Sequence, residues 1–435
     1  MSRAMKDSGV AWIGEIPESW QCRPIKNGFS VYSGATPKSD VPEFWDGTIV
    51  WVTPADFKTQ DRTVSSGKRN LTEAGYASCG TTLVPAGSII FSKRAPIGTV
   101  SVANAALCTN QGCLSCVPHE GIDTWYFYYA MSVFTEQFNL YGTGTTFKEI
   151  SYNDYVNFLL PLPSSFEQAR ISTFLDRRCA EIDRIMEQTR ATIEEYKKLK
   201  QSIITEAVTH GVRGERKMKD SGVEWIGEIP EEWRITRIRF VGQVKTGPFG
   251  TQLSADEYAD EGVPIINVKN IGSGYIRIED LDRIPDSVAE RLKEHKLRQN
   301  DIVFGRKGSI DKHAIISSES SGWVQGSDCI RLRLIADVLP LFLNYYLEST
   351  IIKDYLRTAS NGATMASLNS EMIENIYIVL PDDSEQSCIV KHLNVKCAEI
   401  DRLIDSKLQL LAQLETYKKA VIYEVVTGKR EVPNR

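Results

Sequence analysis

The sequence predicts a mixed α/β chain with two globular α+β domains. A pseudo-two-fold relates them, and two long antiparallel helices forming a coiled coil separate them. Three observations carry this. Cys179-Ala180-Glu181-Ile182-Asp183-Arg184 recurs as Cys397-Ala398-Glu399-Ile400-Asp401-Arg402, an offset of 218 residues. Met218 to Trp233 is a near-copy of Met5 to Trp20, an offset of 213. Both helical blocks carry apolar residues at spacings of three, four or seven, the pattern of a coiled-coil seam. Solenoid and propeller repeats run at roughly 20 to 50 residues. An offset above two hundred therefore means a duplication of domain-sized units.

The elements follow in order. Residues 1–20 form a polar tail whose Trp12, Ile13, Ile16, Pro17 and Trp20 are too few for a core of their own, so they dock elsewhere. Residues 21–163 form the first variable block. Its β-prone runs are Thr48–Val52, Ser88–Phe91, Ile97–Val102 and Leu114–Val117, and Tyr126 to Leu140 has helical spacing. The first long helix, within 164–214, runs from about Glu167 to about Thr209, and Gly211 and Gly214 end it. Ile171, Leu175, Ile182, Ile185 and Thr189 begin its seam; Ile193, Tyr196, Leu199, Ile203 and Ala207 continue it. At 1.5 Å per residue such a helix is a rod of roughly 60 Å. Residues 215–381 hold the second tail and second variable block. Residues 382–435 hold the second long helix, with Ile389, Leu393, Ile400, Leu403 and Leu410, then Leu414, Tyr417, Val421 and Val425 on its seam. An apolar stripe must be buried, and each helix is the best partner for the other.

Bulk properties exclude several classes. The 435 residues are 42% apolar and 25% charged, enough for real cores. Nine scattered cysteines read as reduced thiols rather than a disulfide framework. No apolar run approaches the roughly 18 residues of a membrane span, and the first nine residues lack the apolar core of a signal peptide. The expected location is the cytoplasm. A net charge of −5 is unlike the usual basic nucleic-acid binder, although charge can be local.

Catalytic signatures are missing. There is no P-loop, no Asp/Asn-Pro-Pro-Tyr/Phe, no nucleophile elbow and no close histidine pair. Pro285-Asp286 with Glu294-His295-Lys296 mimics the acidic pattern of metal-dependent nucleases, but Ser287 to Leu297 reads as helix and the first half has no equivalent. Cys113-Leu114-Ser115-Cys116, with Cys108 and His119 nearby, could be a metal site. A strand would point Cys113 and Cys116 to opposite faces, so these read as structural thiols. No catalytic and no metal residue is assigned.

Polar and basic residues punctuate the variable blocks near glycines: Lys38, Lys93, Arg94, Gln111 and Lys148 in the first, Lys245, Lys269, Arg306, Lys307 and Gln325 in the second. Arg and Lys can reach guanine edges, Gln can reach adenine, and Lys neutralises phosphate. Lys93/Arg306, Arg94/Lys307 and Gln111/Gln325 recur at corresponding places, as do Gly144-Thr145-Thr146 and Gly362-Ala363-Thr364. A solvated surface or a shared structural turn accounts for the same recurrence. Paired half-sites on duplex DNA would suit a doubled protein.

These residues resemble the specificity subunit of type I restriction-modification systems over nearly the whole chain. The carriers are the duplicated tail Asp7–Gly14 and Asp220–Gly227, the entries Pro163/Glu167-Gln168 and Pro381/Glu385-Gln386, and the Ala-Glu-Ile-Asp-Arg helices. The helix endings Ala207-Val208-Thr209 and Val425-Val426-Thr427 add to these. Ser33-Gly34-Ala35-Thr36-Pro37 and Gly247-Pro248-Phe249-Gly250 are similar to openings of the family's target-recognition domains. The resemblance implies two such domains, each reading one half of a bipartite double-stranded DNA site. It implies that the helices set the spacing and bind two methyltransferase (M) subunits, joined by restriction (R) subunits. S-adenosylmethionine, ATP and magnesium then belong to those partners and none to this chain, which does no chemistry. Thr189 and Lys407 depart from apolar seam positions. The alternatives are an autonomous metal-dependent nuclease or DNA methyltransferase, and a coiled-coil protein scaffold.

Overall fold

The same strand ladder is built twice. In the first copy, Cys113–Pro118 lies between Phe29–Ser33 and Ile89–Ser92, antiparallel to both. Val100–Ala103 and Thr63–Val64 complete five strands. In the second, Cys329–Leu334 lies between Gly242–Thr246 and Ile302–Gly305, and His313–Ile315 and Ser273–Gly274 complete five. A three-stranded sheet accompanies each: Trp45–Val52 at the centre in one, Val263–Ile266 in the other. Tyr126 to Leu140 forms two helices, Thr124–Val133 and Thr135–Leu140.

The structure, a computed structural model, describes residues 3–58, 61–94, 96–144, 148–249, 252–307, 312–335, 338–360 and 367–433. Thr145, Thr146, Gly250 and positions 362–364, singled out in the sequence, lie outside them. Among the described residues no helix is long and apolar enough to cross a membrane.

Two compact units result. One is Met1–Thr189 with Gln409–Arg435, the other Arg190–Leu408. Each takes half of each long helix. The first helix is Ser165–His210 and stops where Gly211 takes φ +82°, a conformation that favours glycine. The second is Asp383–Val426. In the first unit Ile171, Leu175 and Cys179 share a core with Val421, Ile422 and Val425. Arg170 donates to the Val432 carbonyl and Arg178 to the Tyr417 hydroxyl, so the segments run antiparallel. In the second unit Ile204, Ala207 and Val208 meet Ile389, Leu393 and Cys397 the same way.

The seam differs in phase from the expected one. Ile185 and Leu199 are 38% and 48% exposed, and their repeat counterparts Leu403 and Tyr417 are 46% and 40% exposed. Cys179 and Met186 are buried instead. Thr189 does sit on the seam, its hydroxyl donating to the Ile185 carbonyl at 2.7 Å. That bond is what lets a hydroxyl occupy an apolar position.

The tails dock by a repeated device. Met5–Asp7 pairs with Glu15–Pro17, and Val10, Ile13, Ile16 and Trp20 enter the first unit's core. Trp20 donates to Glu167 at 3.1 Å and Arg3 pairs with that carboxylate at 2.6 Å. Trp233 donates to Glu385 at 2.9 Å, and Arg216 pairs with it. The neighbouring glutamines hold the next layer: Gln168 bridges the Asp123 amide and Pro163 carbonyl, and Gln386 the Leu339 amide and Pro381 carbonyl. The Glu-Gln entry is thus a clamp from helix to tail and domain.

Candidate nucleic-acid interface

Strand register settles which residues correspond. Ser92 lies opposite Cys113, and Gly305 opposite Cys329. Lys93 and Arg306 are therefore equivalent, as are Arg94 and Lys307. Their backbones bond alike: Lys93 N–H donates to Gly112 O at 3.0 Å, and Arg306 N–H to Asp328 O at 2.8 Å. Each pair directly follows the end of its strand. Lys93 and Arg94 share Glu149, at 2.8 and 3.6 Å. Lys307 meets Asp328 at 3.2 Å, and the Arg306 guanidinium lies 4.8 Å from the Phe249 ring. Beside this edge the chain passes too close for any side chain but glycine's. A Cβ on Gly34 would stand 2.2 Å from the Asn110 carbonyl oxygen, and one on Gly247 1.9 Å from that of Gly326.

In the first unit Gln111 is exposed and accepts from the Thr36 hydroxyl, while Lys148 and Lys38 are exposed. Gln111 and Lys148 adjoin Gly112 and Glu149, the partners of Lys93 and Arg94, while Lys38 lies at the Trp45 indole, which donates to its carbonyl. In the second unit Lys269 pairs with Asp282 at 2.9 Å and Lys245 with Glu294 at 3.4 Å. Burial works to raise the Asp282 carboxyl, but Lys269 and Asn267 outweigh it and hold it below the usual range.

Gln325 is a correction. It is fully buried, and its amide nitrogen donates to the Lys245 and Cys329 carbonyls at 2.9 Å each. A base cannot reach it. Nor does it correspond to Gln111: register sets Gln325 against Thr109, and Gln111 against Ser327. The shared Gln-Gly dipeptide misaligned the halves by two residues.

Cys113 and Cys116 enter different cores, as a strand requires, and burial pushes the Cys116 thiol up to about 12. Asp286–Arg291 is helical, apart from Glu294 in the turn Lys293–His295. Among the described residues no three His, Cys, Asp or Glu side chains are grouped to hold a metal.

The sequence reading missed a basic cleft of about 780 Å³ in the second unit. Lys245, Arg331 and Arg333 line it from the sheet, and Lys293, Lys296 and Arg298 from the turn beside it. Arg239 adds a seventh cation, against lining Glu294 and Glu374. No motif marks this site, because its residues come from separate strands and a turn.

Relatives share this architecture. A family model described as "Type I restriction modification DNA specificity domain" matches residues 17–195 and 230–416. The type I restriction enzyme MjaIX specificity subunit of Methanocaldococcus jannaschii is 26% identical over 97% of this chain and 95% of that protein. A chain from a structural study of complex assembly in a type I R-M system superposes with a TM-score of 0.71 at 16% identity, covering 95% of this chain and 99% of its own. The HsdS subunit from Thermoanaerobacter tengcongensis gives 0.50 at 16% identity, covering 95% and 98%. The chain belongs to the type I restriction-modification DNA specificity family, and its role there is that of a non-catalytic specificity subunit.

Proposed function

We propose that each unit reads one half of a bipartite duplex DNA sequence, through the rim at Lys93 and Arg94 in the first and at Arg306 and Lys307 in the second. The carrying observation is that one strand edge, with one backbone hydrogen-bond pattern, presents cations twice amid different neighbours. A shared scaffold with unlike surroundings suits two unlike half-sequences. Lys38, Gln111 and Lys148, with Lys245 and Lys269, supply further contacts. The paired long helices fix the half-site spacing and dock two methyltransferase subunits, with restriction subunits outside them. S-adenosylmethionine, ATP and magnesium serve those partners, in the cytoplasm. The test is retention of a duplex by this chain reconstituted with methyltransferase subunits. Retention should weaken steeply with salt and vanish when this chain is omitted. Equal retention without it would return the reading to a scaffold.

A further inference from the structure

We infer that the arginine-lined cleft of the second unit is a phosphodiester-binding surface for the duplex, and that the first unit has no counterpart. The two halves of one DNA site are then held by unequal electrostatics. This rests on the reading that the chain binds duplex DNA.

The cleft carries more positive charge than its own carboxylates neutralise. Arg333 pairs with buried Asp301 at 2.6 Å, Lys296 with Glu290 at 2.9 Å, and Lys245 with Glu294 at 3.4 Å. Among the described residues Arg331 has no such partner. It is 5% exposed, yet among the described residues it donates only to the Glu294 and Lys296 carbonyls, at 3.1 and 3.4 Å, and its buried Nε finds no partner among them. A buried guanidinium without a carboxylate is costly unless an anion comes to it. The neighbours register the imbalance. Burial, then Lys245 and Arg331, depress His295; burial, then Arg333, depress Arg331 itself.

Guanidinium forks match phosphate oxygens in pairs. Arg331 and Arg333 are two apart on one strand, so both point to one face. Lys245 stands opposite Arg331 on the next strand. Exposed Lys293, Arg298 and Arg239 extend the cationic wall outward. An open trough of this size exceeds one phosphate and suits a run of them.

The first unit has neutral residues at four of these positions and keeps a cation at a fifth. Register sets Arg331 against Ser115, Arg333 against Val117 and Lys245 against Tyr32. The Asp301 amide donates to Arg298 O as the Ser88 amide donates to Pro85 O, so Pro85 stands where Arg298 does. Lys26 corresponds to Arg239: they bond Asn157 and Asn375 respectively.

The experiment uses the full chain reconstituted with methyltransferase subunits, and a duplex carrying the methylated site. Affinity is measured against salt for wild type, for the exposed-residue triple R239Q/K293Q/R298Q, and for K26Q. The triple should lower the slope of log K against log salt by about 2 to 3, and K26Q by about 1 at most. The triple should also lose more than about tenfold in affinity at 0.15 M salt. Thermal melting checks folding, and R298Q alone, expected to lower the slope by about 1, replaces a triple that fails to fold. An unchanged slope with a wild-type complex that binds steeply overturns the inference and leaves the reading intact. A wild-type complex that retains no duplex overturns both.

Discussion

Lys418 holds Asp183 across the helix pair, its ammonium 2.6 and 2.7 Å from the two carboxylate oxygens. Their repeat counterparts do the same: Lys200 lies 2.7 Å from both oxygens of Asp401. Each Lys sits at a seam position that an apolar residue would ordinarily fill, with its stem partly covered and its charge at the rim. Double-mutant cycles on the two pairs should give similar coupling, about 0.5 kcal/mol each, largely lost in 1 M salt. Chemical denaturation of K418A/D183A and K200A/D401A sets, with their singles, measures this. Coupling in one pair and none in the other would contradict the equivalence.

Glu385 and Glu167 make the same contacts at different depths. The Glu385 and Arg216 side chains are 1% and 11% exposed, those of Glu167 and Arg3 24% and 26%. Glu385→Gln should cost about 2 kcal/mol, because it takes from Arg216 its buried carboxylate and leaves only the exposed Glu232, 3.3 Å away. Glu167→Gln should cost about 1 kcal/mol. Burial works to raise the Glu385 carboxyl, and Arg216 and Trp233 overcome it, so its folded value is lowered. The unfolded state then binds the proton first. The stabilisation is complete above the ordinary carboxylate range and disappears as pH falls through the lowered value. Denaturation at neutral and acid pH should show the gap between wild type and Glu385→Gln closing with acid.

The two glutamines once matched by sequence should separate by assay. Gln325→Ala breaks two buried hydrogen bonds and should cost about 2 kcal/mol of stability. Gln111→Ala should change stability by less than about 0.5 kcal/mol and alter methylation preference in one half-site. Melting curves and methylation of a randomised duplex library distinguish them. A stable Gln325→Ala protein with altered preference would reverse the assignment.

The duplicated plan, the helices and the strands were legible because they rest on local pattern. The first long helix ends at His210, one residue before the Gly211 signal, and Leu114–Val117 lies inside a strand. The seam's phase was not legible. Ile185 and Leu199 are more apolar than Met186 and Lys200, but a flexible thioether and a paired ammonium take the covered positions. Gln325 was misread because only strand register tells a buried amide from an exposed one. The cleft was hidden for a related reason. Arg331 and Arg333 look like ordinary strand residues until the fold brings Lys293 and Arg298 beside them.

The central claim is that two separable reading heads share one frame. Replacing residues 21–163 with the corresponding block of another family member, and mapping adenine methylation genome-wide in cells carrying the hybrid, tests it most directly. One half of the methylated sequence should change while the other half and the spacing stay fixed. A change in both halves, or in neither, would contradict the account.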